Sequence, residues 1–141
     1  MRKMSKKRAE SDMKSCNLTI TTTMDGVENS IKREGEMEIS LSNVRLRYRE
    51  ENALVFIKLQ GENAEIERQG DYTLRLNLNR GKFSKGEIGI GGSGGEIETF
   101  THRVSYSVSK DSLLLSLHYD LIISGEKQEM KLRLLSRFKG E

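Results

Sequence analysis

The sequence predicts a single all-β domain, an antiparallel β-barrel of eight strands, up to nine. Three observations lead there. Apolar and polar residues alternate with period two almost everywhere after residue 17, the pattern of half-buried strands. Turn dipeptides recur at short spacing, among them Asp25-Gly26, Gly70-Asp71 and Lys110-Asp111, as strands joined by hairpins require. The chain has no proline and no convincing amphipathic helix. Antiparallel strands must do something with their edges, and closing the sheet removes them. A flattened barrel or a two-sheet sandwich satisfies the same periodicity.

Each element is justified by its own alternation. Leu18, Ile20, Thr22 and Met24 alternate with Thr19, Thr21 and Thr23, and Asp25-Gly26 turns the chain. The return strand from Val27 is weak at first (Asn29, Ile31, Arg33) and recovers at Met37, Ile39 and Leu41; Gly35 within it suggests a bulge or bend. Val44, Leu46 and Tyr48 alternate with Arg45, Arg47 and Arg49, a half-buried strand with a charged outer face. Residues 53–59 (ALVFIKL) form a denser apolar run of ambiguous facing, and Gly61-Glu62-Asn63 separates them from a short strand through Ala64 and Ile66. Tyr72, Leu74, Leu76 and Leu78 make one of the clearest strand signals. Later, Phe100, His102, Val104, Tyr106 and Val108 share one parity, and Leu113, Leu115, Leu117, Tyr119, Leu121 and Ile123 share the next. Met130, Leu132, Leu134 and Phe138 close the pattern. The composition of EMKLRLLSRFK would also suit a helix, but its place after the Gly125-Glu126 turn favours a strand.

At 141 residues, 35% hydrophobic and 32% charged, the chain suits one domain with a sizeable core. No apolar run approaches the length of a membrane helix and no secretory leader pattern is present, so neither membrane insertion nor export is expected. A single cysteine, Cys16, excludes an internal disulfide and suits a reducing, cytoplasmic setting. The net charge of +3 is unevenly held. Residues 1–14 carry +4, so the remaining 127 residues sum to −1. Residues 1–16 are therefore read as a basic flexible N-terminal extension, able to touch nucleic acid or an anionic surface only weakly, and residues 17–141 as the barrel domain. A nucleic-acid-binding body would show a basic field of its own. The total shows none, which leaves only a local patch open.

Gly89-Ile90-Gly91-Gly92-Ser93-Gly94 matches the G-x-G-x-x-G string of dinucleotide sites. That fingerprint needs a helix leaving the glycines to hold the pyrophosphate. Here the glycines lead instead into EIETFTHRVSYSV, an alternating strand, and Glu96 and Glu98 would repel phosphate. The segment reads as a slack connection or irregular edge, or as a mobile lid over a barrel mouth.

Other chemistry is sparse. His118 falls on an outer parity, whereas His102 shares the parity of Phe100 and Tyr106 and reads as an interior rim residue. No cysteine or carboxylate accompanies either histidine at metal-ligand spacing, so no metal and no cofactor is expected. Glu34, Glu36 and Glu38 share a strand face at a spacing that permits carboxylate chemistry, but a solvated outer face explains them better. No nucleophile stands in a recognisable elbow. The chain is not expected to be an enzyme.

Three stretches resemble the YwiB-like bacterial proteins, a family of unknown function: TTMDGVENSIKREGEMEI; FIKLQGENAEIERQG with Ile66, Arg68 and Gly70; and SLLLSLHYDLIISGEKQEMKLRL with Leu117, Tyr119 and Leu121. The resemblance runs from about Leu18 to Phe138 and implies a calycin/lipocalin-like barrel. It implies no catalytic residue. This chain departs from the family at IGIGGSGGEIE, where relatives carry a stretch rich in tyrosine and threonine. Two functions are then expected: an apolar small-molecule ligand held inside the barrel by Tyr48, Phe100, His102 and Tyr106, or an interaction or scaffold role through the outer surface or as a homodimer.

Overall fold

The computed structural model describes residues 13–140. These residues form ten strands: β1 (Lys14–Met24), β2 (Val27–Ile39), β3 (Val44–Glu50), β4 (Ala53–Gln60), β5 (Asn63–Gly70), β6 (Tyr72–Asn79), β7 (Phe83–Ile90), β8 (Ser93–Val108), β9 (Ser112–Ile123) and β10 (Glu126–Phe138). Every strand pairs antiparallel with its sequence neighbours, and β1 pairs with β10 to close the barrel. The sandwich is thereby excluded. The expected count of eight or nine is also corrected. A meander that closes on itself antiparallel needs an even number of strands, and the tenth is the glycine-rich β7, whose alternation is masked by residues without side chains.

The glycine string is not slack. Gly89 and Gly94 face each other in the β7–β8 ladder, and Gly91-Gly92 is a two-residue turn with φ of 56° and 85°. Positive φ at both central residues marks the type I′ hairpin, whose twist matches that of the strands it joins. Asp25-Gly26 (48°, 85°) and Ser124-Gly125 (52°, 81°) repeat it. No helix leaves Gly94, so the nucleotide reading fails on its own criterion.

The barrel begins earlier than residue 17. Cys16 pairs with Gly35 and Phe138 and is fully buried, so Lys14 to Cys16 belong to β1. The remaining basic residues of the expected extension lie outside the described residues. Gly35 makes no bulge; its ladder runs unbroken between Cys16 and Tyr48.

Inward-facing Leu18, Met37, Leu46, Leu59, Leu76, Leu78, Leu113, Leu115, Leu117 and Leu134 are almost wholly shielded and fill the barrel. Fully burying each such side chain contributes about 1.5–3 kcal/mol relative to exposure. Arg68, inward on β5, is tied to Glu50, Asp71 and the Tyr72 carbonyl and lies 3.7 Å from the centre of the Tyr72 ring.

One irregularity matters for the site. The β8–β9 register shifts between Thr101 and Arg103. An extra residue in a strand switches which face its neighbours present. Ile97, Thr99 and Thr101 therefore face inward on one side of the shift, and Val104 and Tyr106 on the other.

Candidate functional site

The four residues expected to line one apolar site are split by that shift. Tyr48 on β3 is buried, and Tyr106 on β8 is half-buried against the core. Phe100 and His102 stand on the outer wall. The two share a face, as alternation predicts, but the bulge breaks its continuity with Val104 and Tyr106. They are therefore corrected from interior to exterior.

Inside, Tyr48 keeps company with Tyr119 of β9, which alternation places on the same inward face as Leu117 and Leu121. Burial pushes both phenols up, Tyr119 to about 12, because a phenolate there would lose its hydration. Burial likewise raises the Cys16 thiol. The buried hydroxyl of Thr101 has no hydrogen-bond partner among the described residues.

Outside, the fold builds a strip that the sequence did not suggest. Phe83 of β7 and Phe100 of β8 are cross-strand partners with ring centres 4.8 Å apart. Phe100 meets His102 edge-on at 5.0 Å, and His102 lies 4.6 Å from His118 of β9, tilted 34°. Each imidazole is held by a carboxylate: His102 Nε2 is 2.9 Å from Asp120 Oδ2, and His118 Nε2 is 2.9 Å from Glu129 Oε2. The chain's only two histidines thus stack on each other. Phe83, at 64% exposure, keeps a large part of its ring in water.

Hairpin arithmetic would not have found this. Val108 pairs with Leu113, and an unbroken ladder would set His102 opposite inward-facing Tyr119. The bulge gives that place to Thr101 instead. Nothing in the local residues announces the bulge.

The strip can stack on flat groups and hydrogen-bond through oriented imidazoles. Among the described residues no three metal-ligating side chains converge to hold an ion. Glu34, Glu36 and Glu38 are engaged by Lys139 (3.0 Å), Arg47 (2.5 Å) and Arg45 respectively, as a solvated wall would have them.

Comparison with known proteins adds the lineage. The crystal structure of the ywiB protein from Bacillus subtilis is similar, with a TM-score of 0.80 at 15% identity, over 94% of this chain and 99% of that one. At that identity the likeness speaks for the fold alone. No curated protein matches. Residues 13–134 match the domain of unknown function DUF1934, and with most of its length covered, the chain belongs to that family.

Proposed function

We propose that this protein is a non-enzymatic interaction module whose outer wall, at the Phe83–Phe100–His102–His118 strip, holds a macromolecular partner. The observation that supports this is the exposure of Phe83 beside two imidazoles fixed by carboxylates. An aromatic ring left half in water costs hydrophobic free energy, and pre-oriented polar groups beside it are what a contact surface uses. The buried, lone Cys16 is consistent with work in a reducing cytoplasm.

A second reading keeps the calycin-like carrier. Ile31, Ile123, Met130 and Leu132 lie only partly buried against the core, and the unpartnered Thr101 hydroxyl is inside. Together they would suit an apolar ligand with one polar atom.

Native mass spectrometry of protein purified from its own host separates the two. The module reading expects a macromolecule on the wild type that is absent from the double variant Phe83→Ser/Phe100→Ser, with both melting alike. A small molecule retained equally by both would establish the carrier instead, and a bare monomer in each case would refute the module. A second copy of the chain on the strip would appear as a dimer lost in the same variant.

A further inference from the structure

The fold gathers several unpaired cations into one patch of the barrel wall. On the wall formed by β2 to β7, arginines stand beside carboxylates: Arg45 with Glu38, Arg47 with Glu36, Arg75 with Glu67, and Arg80 with Glu62. The opposite wall, β8–β9–β10–β1–β2, groups four cations without such carboxylates. Its outward cations Arg103, Lys131, Arg133 and Lys32 are exposed, and none has an ion-pair partner among the described residues.

Register places these cations in adjoining rows. Arg103 pairs with His118, which pairs with Lys131. In the next row, Ser105, Ser116, Arg133, Thr21 and Ser30 lie side by side across five strands. Lys32 stands two residues beyond Ser30 on β2. Neighbouring strands are about 4.8 Å apart and same-face residues about 6.5–7 Å apart along a strand, so cations and hydroxyls form a continuous donor field. Acids border it: Asp120 and Glu129 are occupied by the histidines, Glu34 by Lys139, and Glu28 lies near the hairpin tip. Glu98 stands two residues from Phe100, so the phosphates must run on the Arg103–Arg133 side of the rings. His118 belongs to both features, since it sits in the Arg103 row and stacks on His102 of the aromatic strip.

From this juxtaposition of an unpaired cationic field and an exposed aromatic strip, we propose that the β8–β9–β10–β1–β2 wall binds single-stranded nucleic acid. The cations take the phosphates, the serine and threonine hydroxyls donate to phosphate and sugar oxygens, and unstacked bases lie on Phe83 and Phe100. A cationic track beside aromatic platforms is the general design for single strands. A duplex keeps its base faces stacked and out of reach of those rings. The charge total, −1 beyond residue 14, misses this local patch because acids elsewhere on the same wall, among them Glu28, Glu34, Glu98, Asp120 and Glu129, offset it. The proposal rests on the interaction-module reading and names its partner.

The test is fluorescence anisotropy of the full chain with a labelled single-stranded RNA oligonucleotide, its duplex and heparin, across a salt series. Wild type is expected to bind the single strand and to weaken steeply with salt. In Arg103→Ala/Lys131→Ala/Arg133→Ala the slope of log K against log salt should shrink by about two units, at roughly 0.7 per phosphate contact. Phe83→Ala/Phe100→Ala should lose about ten-fold or more for the single strand and nothing for heparin. Unchanged binding by the triple variant overturns the proposal. Equal affinity for duplex and single strand, with no effect of the phenylalanine changes, overturns it too. A wild type that ignores nucleic acid yet loses a retained protein partner on Phe83→Ser/Phe100→Ser would remove this inference and leave the module reading standing.

Discussion

Gly35 of β2 lies so close to Arg47 of β3 that a Cβ on it would stand 2.3 Å from the Arg47 carbonyl oxygen. The same atom would meet Cβ of Tyr48 and a methyl of Leu18, each at 2.9 Å. Backbone cannot yield there without breaking the β2–β3 ladder. Gly35→Ala is therefore expected to cost about 1–3 kcal/mol, the range of core overpacking. A urea titration checks it, and a midpoint equal to wild type would show that the close approach carries no weight.

The Gly91-Gly92 turn makes a two-sided prediction. Type I′ hairpins favour asparagine then glycine. Gly91→Asn should keep the turn and reduce the freedom of the unfolded chain, raising stability by about 0.4–1 kcal/mol. Gly92→Ala must hold an alanine near φ 85° and should lower it by about 1–2 kcal/mol. Opposite signs in thermal melts are the signature expected; two neutral results would argue that this hairpin is not formed.

Alkaline pH should weaken the barrel. Burial raises the folded-state values of Tyr48 and Tyr119, the latter to about 12, above the value near 10 of an unfolded tyrosine. Between those values the folded chain holds protons that the unfolded chain has released, so stability falls as pH rises. It is fully present below about pH 10 and drains away toward pH 12. Melts from about pH 8 to 11.5 on wild type and on Tyr119→Phe should show the variant with the flatter profile.

Cys16 reports where the barrel starts. It is fully buried between Gly35 and Phe138, and a raised thiol is a poor nucleophile at neutral pH. A thiol reagent should label it slowly in native buffer and at once in denaturant. Rapid native labelling would mean that Lys14 to Cys16 do not hold to the sheet.

Much of this molecule was legible because alternation survives wherever side chains are large. Leu18 and Ile20, Leu46 and Tyr48, Leu76 and Leu78, and Leu113, Leu115 and Leu117 all sit on the inward face their parity assigned. The turn at Asp25-Gly26 was equally plain. Two kinds of element escaped. In β7, Phe83 to Ile88 could be read as a strand, but Gly86 and Gly89 contribute no side chain to a pattern, so its end and the hairpin beyond looked like slack. In β8, a single inserted residue reversed the face of Phe100 and His102, because period-two reasoning carries an error along the whole strand.

By itself, the sequence determined that the chain is an all-β antiparallel meander with an aliphatic interior, since side-chain alternation and turn chemistry are local properties. Only the tertiary structure decided the closure at ten strands, the outward histidine pair and the grouping of Arg103, Lys131 and Arg133. Those depend on which residues stand opposite each other across strands distant in sequence, and that register is fixed by the closing of the barrel as a whole.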